Sequence, residues 1–350
     1  MSIKTYSQAI RDCIAEEMRR DETVFIMGED IAKQGGIFGC TRGLLDEFGS
    51  ERVRITPISE AGFVGAGVGA ACAGMRPIVE LMYMDFTYVA MDQLLNQAAK
   101  TRYVFGGQAK VPLVIRGQQG VGRGNAATHS QCTEGIFMHI PGMKVAMPSN
   151  PADAAGLLRT AIRDDNPIMF YEHKALYNMK GEVPDSPDFA VPFGQANVLR
   201  AGNDVTIIGT HMYVQQSMNV AAELEKEGIS CEVIDPRTLV PLDLGTMVAS
   251  VKKTGRCVVV HEAHRNAGPG AEIAASVTEQ AFKYLDAPVA RLGAKACPLH
   301  LTSAWKTLLS LRKQTFCRQS VPFCTANPPL SKEAENQWQL KLLCPSRACR

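Results

Sequence analysis

The chain has 350 residues, 46% of them apolar and 21% charged, with a net charge of +2. At roughly 150 residues per domain this length implies about two globular domains, and the near-neutral balance supplies no field to recruit nucleic acid or an acidic membrane. No stretch approaches the roughly 18–20 continuous bulky apolar residues of a membrane span.

The N-terminus, Met1 to Tyr6, lacks the apolar core of a secretory signal, and 11 cysteines occur without one Cys-x-x-Cys pair. A cytoplasmic protein with reduced thiols is the expectation. Val24–Met27 is the first buried strand. Pro57-Ile58-Ser59-Glu60 then sets a carboxylate ahead of a small-residue stretch, Gly65 to Gly74. Glu60 reads either as an acid favoured at a helix N-terminus or as a functional carboxyl. The glycine pattern weakly resembles a dinucleotide fingerprint. No clear strand feeds it, so close helix packing is the better explanation. Met91, Leu94, Leu95, Ala98 and Ala99 follow at helical spacing.

Val111–Ile115 is the next strand. Gly117, Gly120, Gly122 and Gly124 after it permit positive φ and close approach of a ligand. His129-Ser130-Gln131 comes next. A lone histidine is most often structural, and no Gly-x-Ser-x-Gly elbow supports Ser130 as a nucleophile. Further strands are expected at 144–147, 168–171, 205–208, 231–234 and 257–260, with a helix at 152–163 that Asn150 caps and Pro151 opens. Val214, Met218, Ala221 and Ala222 mark another helix, stopped near Gly228. Alternating strands and helices imply an α/β class, and continuous apolar strands imply mostly parallel sheets covered on both faces. Gly181–Asp204, with Pro184, Pro187 and Pro192, reads as a linker. The expected organisation is an α/β domain over 1–180, a linker over 181–204 and a smaller α/β domain over 205–295.

Composition breaks near residue 295. All 30 glycines precede it; residues 296–350 hold both tryptophans, five cysteines, and eight basic against two acidic residues. A separate module, a basic tail or a reading-frame change would each produce this. Back-translation favours the last. Regrouping codons from Ala304 forces a Glu codon out of Trp305-Lys306, and permits an acidic, helix-initiating segment through Ser320. The tail is expected to be poorly ordered and to carry no site.

Several stretches in order, Val24 to Asp30, Pro57 to Glu60, Met91-Asp92-Gln93, His129-Ser130-Gln131, His139-Ile140-Pro141-Gly142, Ala161 to Pro167, Asp235-Pro236-Arg237-Thr238 and Ala271 to Ala274, together resemble one family. It is the β subunit of the thiamine-diphosphate-dependent E1 component of 2-oxo acid dehydrogenase complexes, nearest the pyruvate and acetoin members, and the resemblance covers about residues 3–295. It implies two transketolase-like α/β domains, a thiamine pyrimidine-binding domain and a transketolase C-terminal-like domain.

The resemblance also implies site roles. Glu60 would bond the cofactor's aminopyrimidine and promote the imino tautomer that takes a proton from the thiazolium carbon. A carboxyl in an apolar pocket has a raised pKa and suits that sharing. Phe86 would lie beside the aminopyrimidine, and Ile58 and Met82 would complete the cofactor contacts. His129 would stabilise or protonate the intermediate and guide acyl transfer to a lipoyl arm. Leu113, Ala161, Ile162, Asp164 and Asn166 would form a structural potassium site, mostly of backbone carbonyls. No Gly-Asp-Gly occurs, so Mg²⁺ and the diphosphate would be held by an α subunit in an α2β2 heterotetramer that docks on lipoyl-E2. The substrate would be pyruvate, another 2-oxo acid or acetoin. The competing readings are a self-contained transketolase-type enzyme, an inactive assembly subunit and, on the glycine pattern alone, an NAD-binding dehydrogenase.

Overall fold

The computed structural model describes residues 1–32 and 35–294. The frameshift reading of 296–350 and its expected disorder lie outside the described residues. The chain opens with β1 (Ser2–Thr5) and α1 (Tyr6–Arg20), then β2 (Val24–Gly28), α2 (Leu44–Phe48), β3 (Val53–Ile55), α3 (Glu60–Cys72) and β4 (Arg76–Tyr83). It continues through α4 (Ala99–Val104), β5 (Val114–Gln119), α5 (Glu134–Met138), β6 (Lys144–Ala146), α6 (Pro151–Arg163) and β7 (Ile168–His173). β8 (Lys180–Val183), β9 (Asn197–Arg200), β10 (Val205–Gly209), α7 (Met212–Glu225), β11 (Cys231–Asp235) and β12 (Thr238–Val240) follow. The described part ends with α8 (Leu244–Thr254), β13 (Cys257–His264), α9 (Pro269–Ala281) and β14 (Ala290–Ala294).

A seven-stranded sheet has the order β12-β6-β7-β5-β4-β2-β3, and a five-stranded sheet the order β14-β13-β10-β11-β9. The strands of the first run parallel except β12, and those of the second except β9. Successive residues of a strand face opposite sides. Val24, Ile26, Ile78, Val114, Ile168 and Phe170 thus join one core with α1 and α6. Phe25, Met27, Val79, Leu81, Ile115, Met169 and Tyr171 join another. That second core also holds Ile208, Ile234, Met247, Val259 and Ile273 of the C-terminal half, so the two sheets share one apolar layer between them.

Local signals account for the helix ends. The Asn150 side chain accepts from the Asp153 N–H at 2.9 Å, and Pro151 occupies the first turn of α6. In α3, a Cβ on Gly67 would stand 2.7 Å from Val79 Cγ2, so the small residues serve close packing on β4. The strand after Val111 starts later than its apolar run suggests. Val111 and Leu113 are buried, but pairing begins at Val114, after Pro112. Gly117 lies inside β5, where a Cβ would meet the Leu81 carbonyl at 2.6 Å; positive φ is confined to Gly120, Gly122 and Gly124.

Residues 181–204 are less of a linker than their prolines imply. β8 pairs with β1, Val183 and Val191 are buried, and β9 forms the edge of the second sheet. In return β12, from the C-terminal half, pairs with β6 at the edge of the first sheet. Among the described residues no helix is long and apolar enough to cross a membrane.

Candidate active site

The parallel strands of the first sheet deliver the chemistry to one rim. Glu29 follows β2, Glu60 follows β3, Phe86 follows β4, the loop to His129 follows β5, and His173 ends β7. All five lie at carboxyl ends of parallel strands, where open α/β sheets bind ligands.

Glu60 sits in the first turn of α3 and is only 7% exposed. Ser59 precedes it as the cap residue, without a side-chain cap bond. Glu29 is equally buried, and its Oε1 has no hydrogen-bond partner. Burial, then the nearby charges of Glu60 and Asp30, push the Glu29 carboxyl above the ordinary range. Two buried acids near enough to interact, one with an orphaned oxygen, form a polar niche that a ligand donor would complete.

His129 stands among aromatic rings. Its ring centroid is 4.7 Å from that of Tyr83 and 5.3 Å from that of Phe86, and Tyr83 and Phe86 are 5.7 Å apart, all edge-to-face. The short helical turn Met84–Tyr88 that carries Phe86 begins where β4 ends. Thr128 Oγ1 lies 3.0 Å from His129 Nδ1, which leaves Nε2 for a substrate.

The segment bearing His129 is held from several sides. Asp85 is buried, and its Oδ1 accepts from the Ser130 N–H (3.2 Å), the Gln131 N–H (3.1 Å) and Gln131 Nε2 (3.0 Å). Lys174 donates to the His129 carbonyl and stands 5.1 Å from the Tyr83 ring centroid. Burial pulls the Lys174 ammonium down to about 8, against the opposing charges of Asp85 and Glu262. Asn125 Nδ2 donates to Tyr83 Oη at 2.6 Å. Deeper in the sheet, one buried cation, Arg116, stands between two buried carboxyls, Glu172 and Glu80, and burial pushes the Glu80 carboxyl above the ordinary range.

The remaining expected residues are dispersed. Ile58 is 82% exposed, and Met82 is half-buried with its carbonyl accepting from Gln118 Nε2 at 3.2 Å. The potassium set gathers around the C-terminal end of α6. There Arg76 donates to the Ile162 and Asp164 carbonyls at 3.1 and 3.0 Å, and Lys144 pairs with the Asp164 carboxylate. The Leu113 carbonyl accepts from the Ile168 N–H at 2.9 Å and the Ala161 carbonyl from the Asp164 N–H at 3.3 Å. Asn166 Nδ2 donates to Asp164 Oδ1 at 2.7 Å.

Sequence reasoning missed Glu29, Tyr83, Asp85, Thr128 and Lys174 as parts of this site. Glu29 lay within a stretch that carried the resemblance, Asp85 beside Phe86 and Thr128 beside His129. Lys174 lay in the stretch Glu172 to Tyr177, which resembles the acetoin members, but its role stayed hidden because its partner is a backbone carbonyl 45 residues away.

The chain matches the family described as "Transketolase, pyrimidine binding domain" over residues 3–180 and "Transketolase, C-terminal domain" over residues 194–313. It is 49% identical to the pyruvate dehydrogenase E1 component subunit beta of Rhizobium meliloti over 299 residues, 85% of this chain and 65% of that protein. Against the like-named protein of Rickettsia felis it is 48% identical over 295 residues, 84% of this chain and 90% of that protein. Against the acetoin:2,6-dichlorophenolindophenol oxidoreductase subunit beta of Bacillus subtilis it is 45% identical over 305 residues, 84% of this chain and 89% of that protein. A solved structure titled "Split gene transketolase, inactive beta4 tetramer" shares the fold, with a TM-score of 0.71 at 20% identity over 91% of this chain and 99% of that one. With one transketolase domain spanning half the chain and relatives nearly half identical over most of their length, the chain belongs to the transketolase-type family of pyruvate dehydrogenase E1 and acetoin oxidoreductase beta subunits.

Proposed function

We propose that the chain is the beta half of a thiamine-diphosphate-dependent E1 enzyme. With an alpha subunit, it decarboxylates pyruvate or cleaves acetoin, and passes the acyl unit to the lipoyl group of E2. The observation that carries this reading is the rim itself: the buried Glu29–Glu60 niche and the Phe86–Tyr83–His129 aromatic group share the carboxyl edge of one parallel sheet. The orphaned Glu29 oxygen and the buried Glu60 carboxyl fit an aminopyrimidine, which offers a ring nitrogen and an amino group.

When bound, thiamine diphosphate supplies a carbon acid whose deprotonated form attacks a ketone carbonyl and accepts its electrons. This chain's residues do the rest of their half. Glu60 holds a proton toward the ring nitrogen, at a carboxyl removed from water. Phe86 offers a flat apolar face at small entropic cost. His129 presents Nε2 to the reacting oxygen while Thr128 engages Nδ1. Tyr83 and Phe86 exclude water on the histidine's flanks.

No group of three or more His, Cys, Asp or Glu suited to a metal occurs among the described residues. Mg²⁺ and the diphosphate would be held by the alpha subunit. A potassium ion at the α6 terminus fits only in competition with Arg76, whose guanidinium already serves two of its carbonyls. A potassium-dependent rise in melting temperature over choline would support that site, and equal melting would remove it.

The test of the whole reading is titration of thiamine diphosphate with Mg²⁺ into the chain alone and into its mixture with an alpha subunit. Binding in the mixture only is expected. Tight binding by the chain alone would favour a self-contained transketolase-type enzyme.

A further inference from the structure

The loop between β5 and α5 carries His129, yet one of its supports comes from the other domain. Glu262, in β13, accepts the Val121 N–H at 2.9 Å with Oε1. Its Oε2 lies 2.5 Å from His173 Nε2. The His173 tautomer follows from its second nitrogen. The Ala175 N–H donates to Nδ1 at 3.1 Å, so Nδ1 is the acceptor and Nε2 carries the proton that goes to Glu262. The neighbouring Lys174 donates to the His129 carbonyl. One carboxylate therefore grips the start of the loop directly and its end through His173 and Lys174.

Space has been cleared for this grip. Gly120 has φ +83°, and a Cβ there would stand 2.4 Å from His173 Nε2 and 2.8 Å from Glu262 Oε2. A second contact crosses beside the first. His211, ahead of α7, donates from Nε2 to the Tyr171 carbonyl at 2.9 Å. Its Nδ1 faces Gln119 Nε2 at 3.4 Å, and Gln119 Oε1 accepts the Thr133 N–H at 3.2 Å. Burial, then the neighbouring His173, drives the His211 imidazole down to about 3, so it stays neutral and keeps this donor–acceptor sense.

We propose that Glu262 is a positioning residue for His129, acting through His173 and Lys174, so that the C-terminal domain sets the geometry of acyl transfer in a site whose other residues come from the first domain. This rests on the function proposed above. The Glu60 side of the rim is built on β2 and β3, which the brace does not touch. Transfer and cofactor activation are therefore separable.

The experiment uses full-length Glu262→Gln, and His173→Gln as a second variant, each mixed with the alpha subunit. Three quantities are read: hydrogen–deuterium exchange at C2 of bound thiamine diphosphate, the rate of lipoyl-domain acylation, and amide exchange over residues 119–133. A misplacement near 1 Å lowers rates by up to ~100-fold. Acylation is expected to fall about tenfold or more, C2 exchange to stay within about twofold, and the loop amides to exchange faster. Equal losses in both steps, unchanged acylation, or unchanged loop amides would overturn the proposal. Absence of C2 exchange in the wild-type mixture would instead refute the thiamine reading, and the amide measurement would still decide the brace.

Discussion

The Lys174 ammonium donates to the backbone carbonyl of His129 and lies 5.1 Å from the centroid of the Tyr83 ring, which itself meets the His129 imidazole edge-to-face at 4.7 Å. A buried cation thus fixes the main chain of the histidine while an aromatic ring fixes its side chain. Under the proposed function, such a group holds Nε2 in place to meet a lipoyl arm.

Replacing His129 by Ala is expected to separate the two halves of the reaction. Acylation of a lipoyl domain should fall by about 10²–10⁴, the usual contribution of a positioned acid or base. Reduction of an artificial electron acceptor should fall much less. Stopped-flow measurement of both rates checks this, and equal losses would place His129 in the earlier step.

Glu60→Gln preserves shape and removes the exchangeable carboxyl proton. The variant should melt within a few degrees of the parent, since no salt bridge or cap bond is lost. Hydrogen–deuterium exchange at C2 of bound thiamine diphosphate, followed by proton NMR after acid quench, should drop by at least about 100-fold. Unchanged exchange would remove Glu60 from the proton path.

Glu134 gives a pH prediction. Burial is the main cause that raises its carboxyl to about 7. Below the ordinary carboxyl pKa both folded and unfolded chains hold the proton. Between there and about 7 the unfolded chain has released it while the folded chain has not, so this residue makes stability fall as pH rises. Glu134→Gln should remove that slope. The variant should gain on the parent by up to about 3 kcal/mol between pH 4.5 and 7.5 in urea unfolding at stepped pH. A constant difference across that range would show that Glu134 ionises normally.

Gly120→Ala tests the space under the loop. The new methyl would have to occupy positive φ and stand 2.4 Å from His173 Nε2. Destabilisation of about 2 kcal/mol or more is expected, with faster amide exchange over 119–133. At Gly107, where φ is also +83° and nothing stands within 4 Å of a Cβ, the same change should cost about 1 kcal/mol. Equal effects at the two positions would mean that backbone strain alone, and not the His173–Glu262 pair, sets the requirement.

Much of the architecture is written locally. Val24–Met27, Ile168–Tyr171, Val205–Ile208, Cys231–Ile234 and Cys257–Val260 read as doubly covered strands because both of their faces are apolar, and each lies within a strand of the structure. Asn150-Pro151 announced the start of α6 because capping and the first-turn proline are satisfied within one turn. Local pattern also misled. The apolar residues at 111–113 are buried but lie ahead of the strand, with Val111 and Leu113 bonded to Asp165 and Ile168 through single backbone bonds, since hydrophobicity reports burial and not strand bounds. The prolines of 181–204 hid two strand ends, because edge strands tolerate the breaks that central strands do not.

By itself the sequence determined the α/β class and several of the doubly covered strands, and it marked Glu60, Phe86 and His129 as candidates. Only the tertiary structure decided that Glu29 and Glu60 share a niche, that Lys174 holds His129, and that Glu262 reaches across from the other domain. The physical reason is the sheet order. Strands are neighbours through crossovers that skip along the chain, as β5 lies between β4 and β7, and the side-chain period of a strand says which face a residue occupies but not which strand lies beside it.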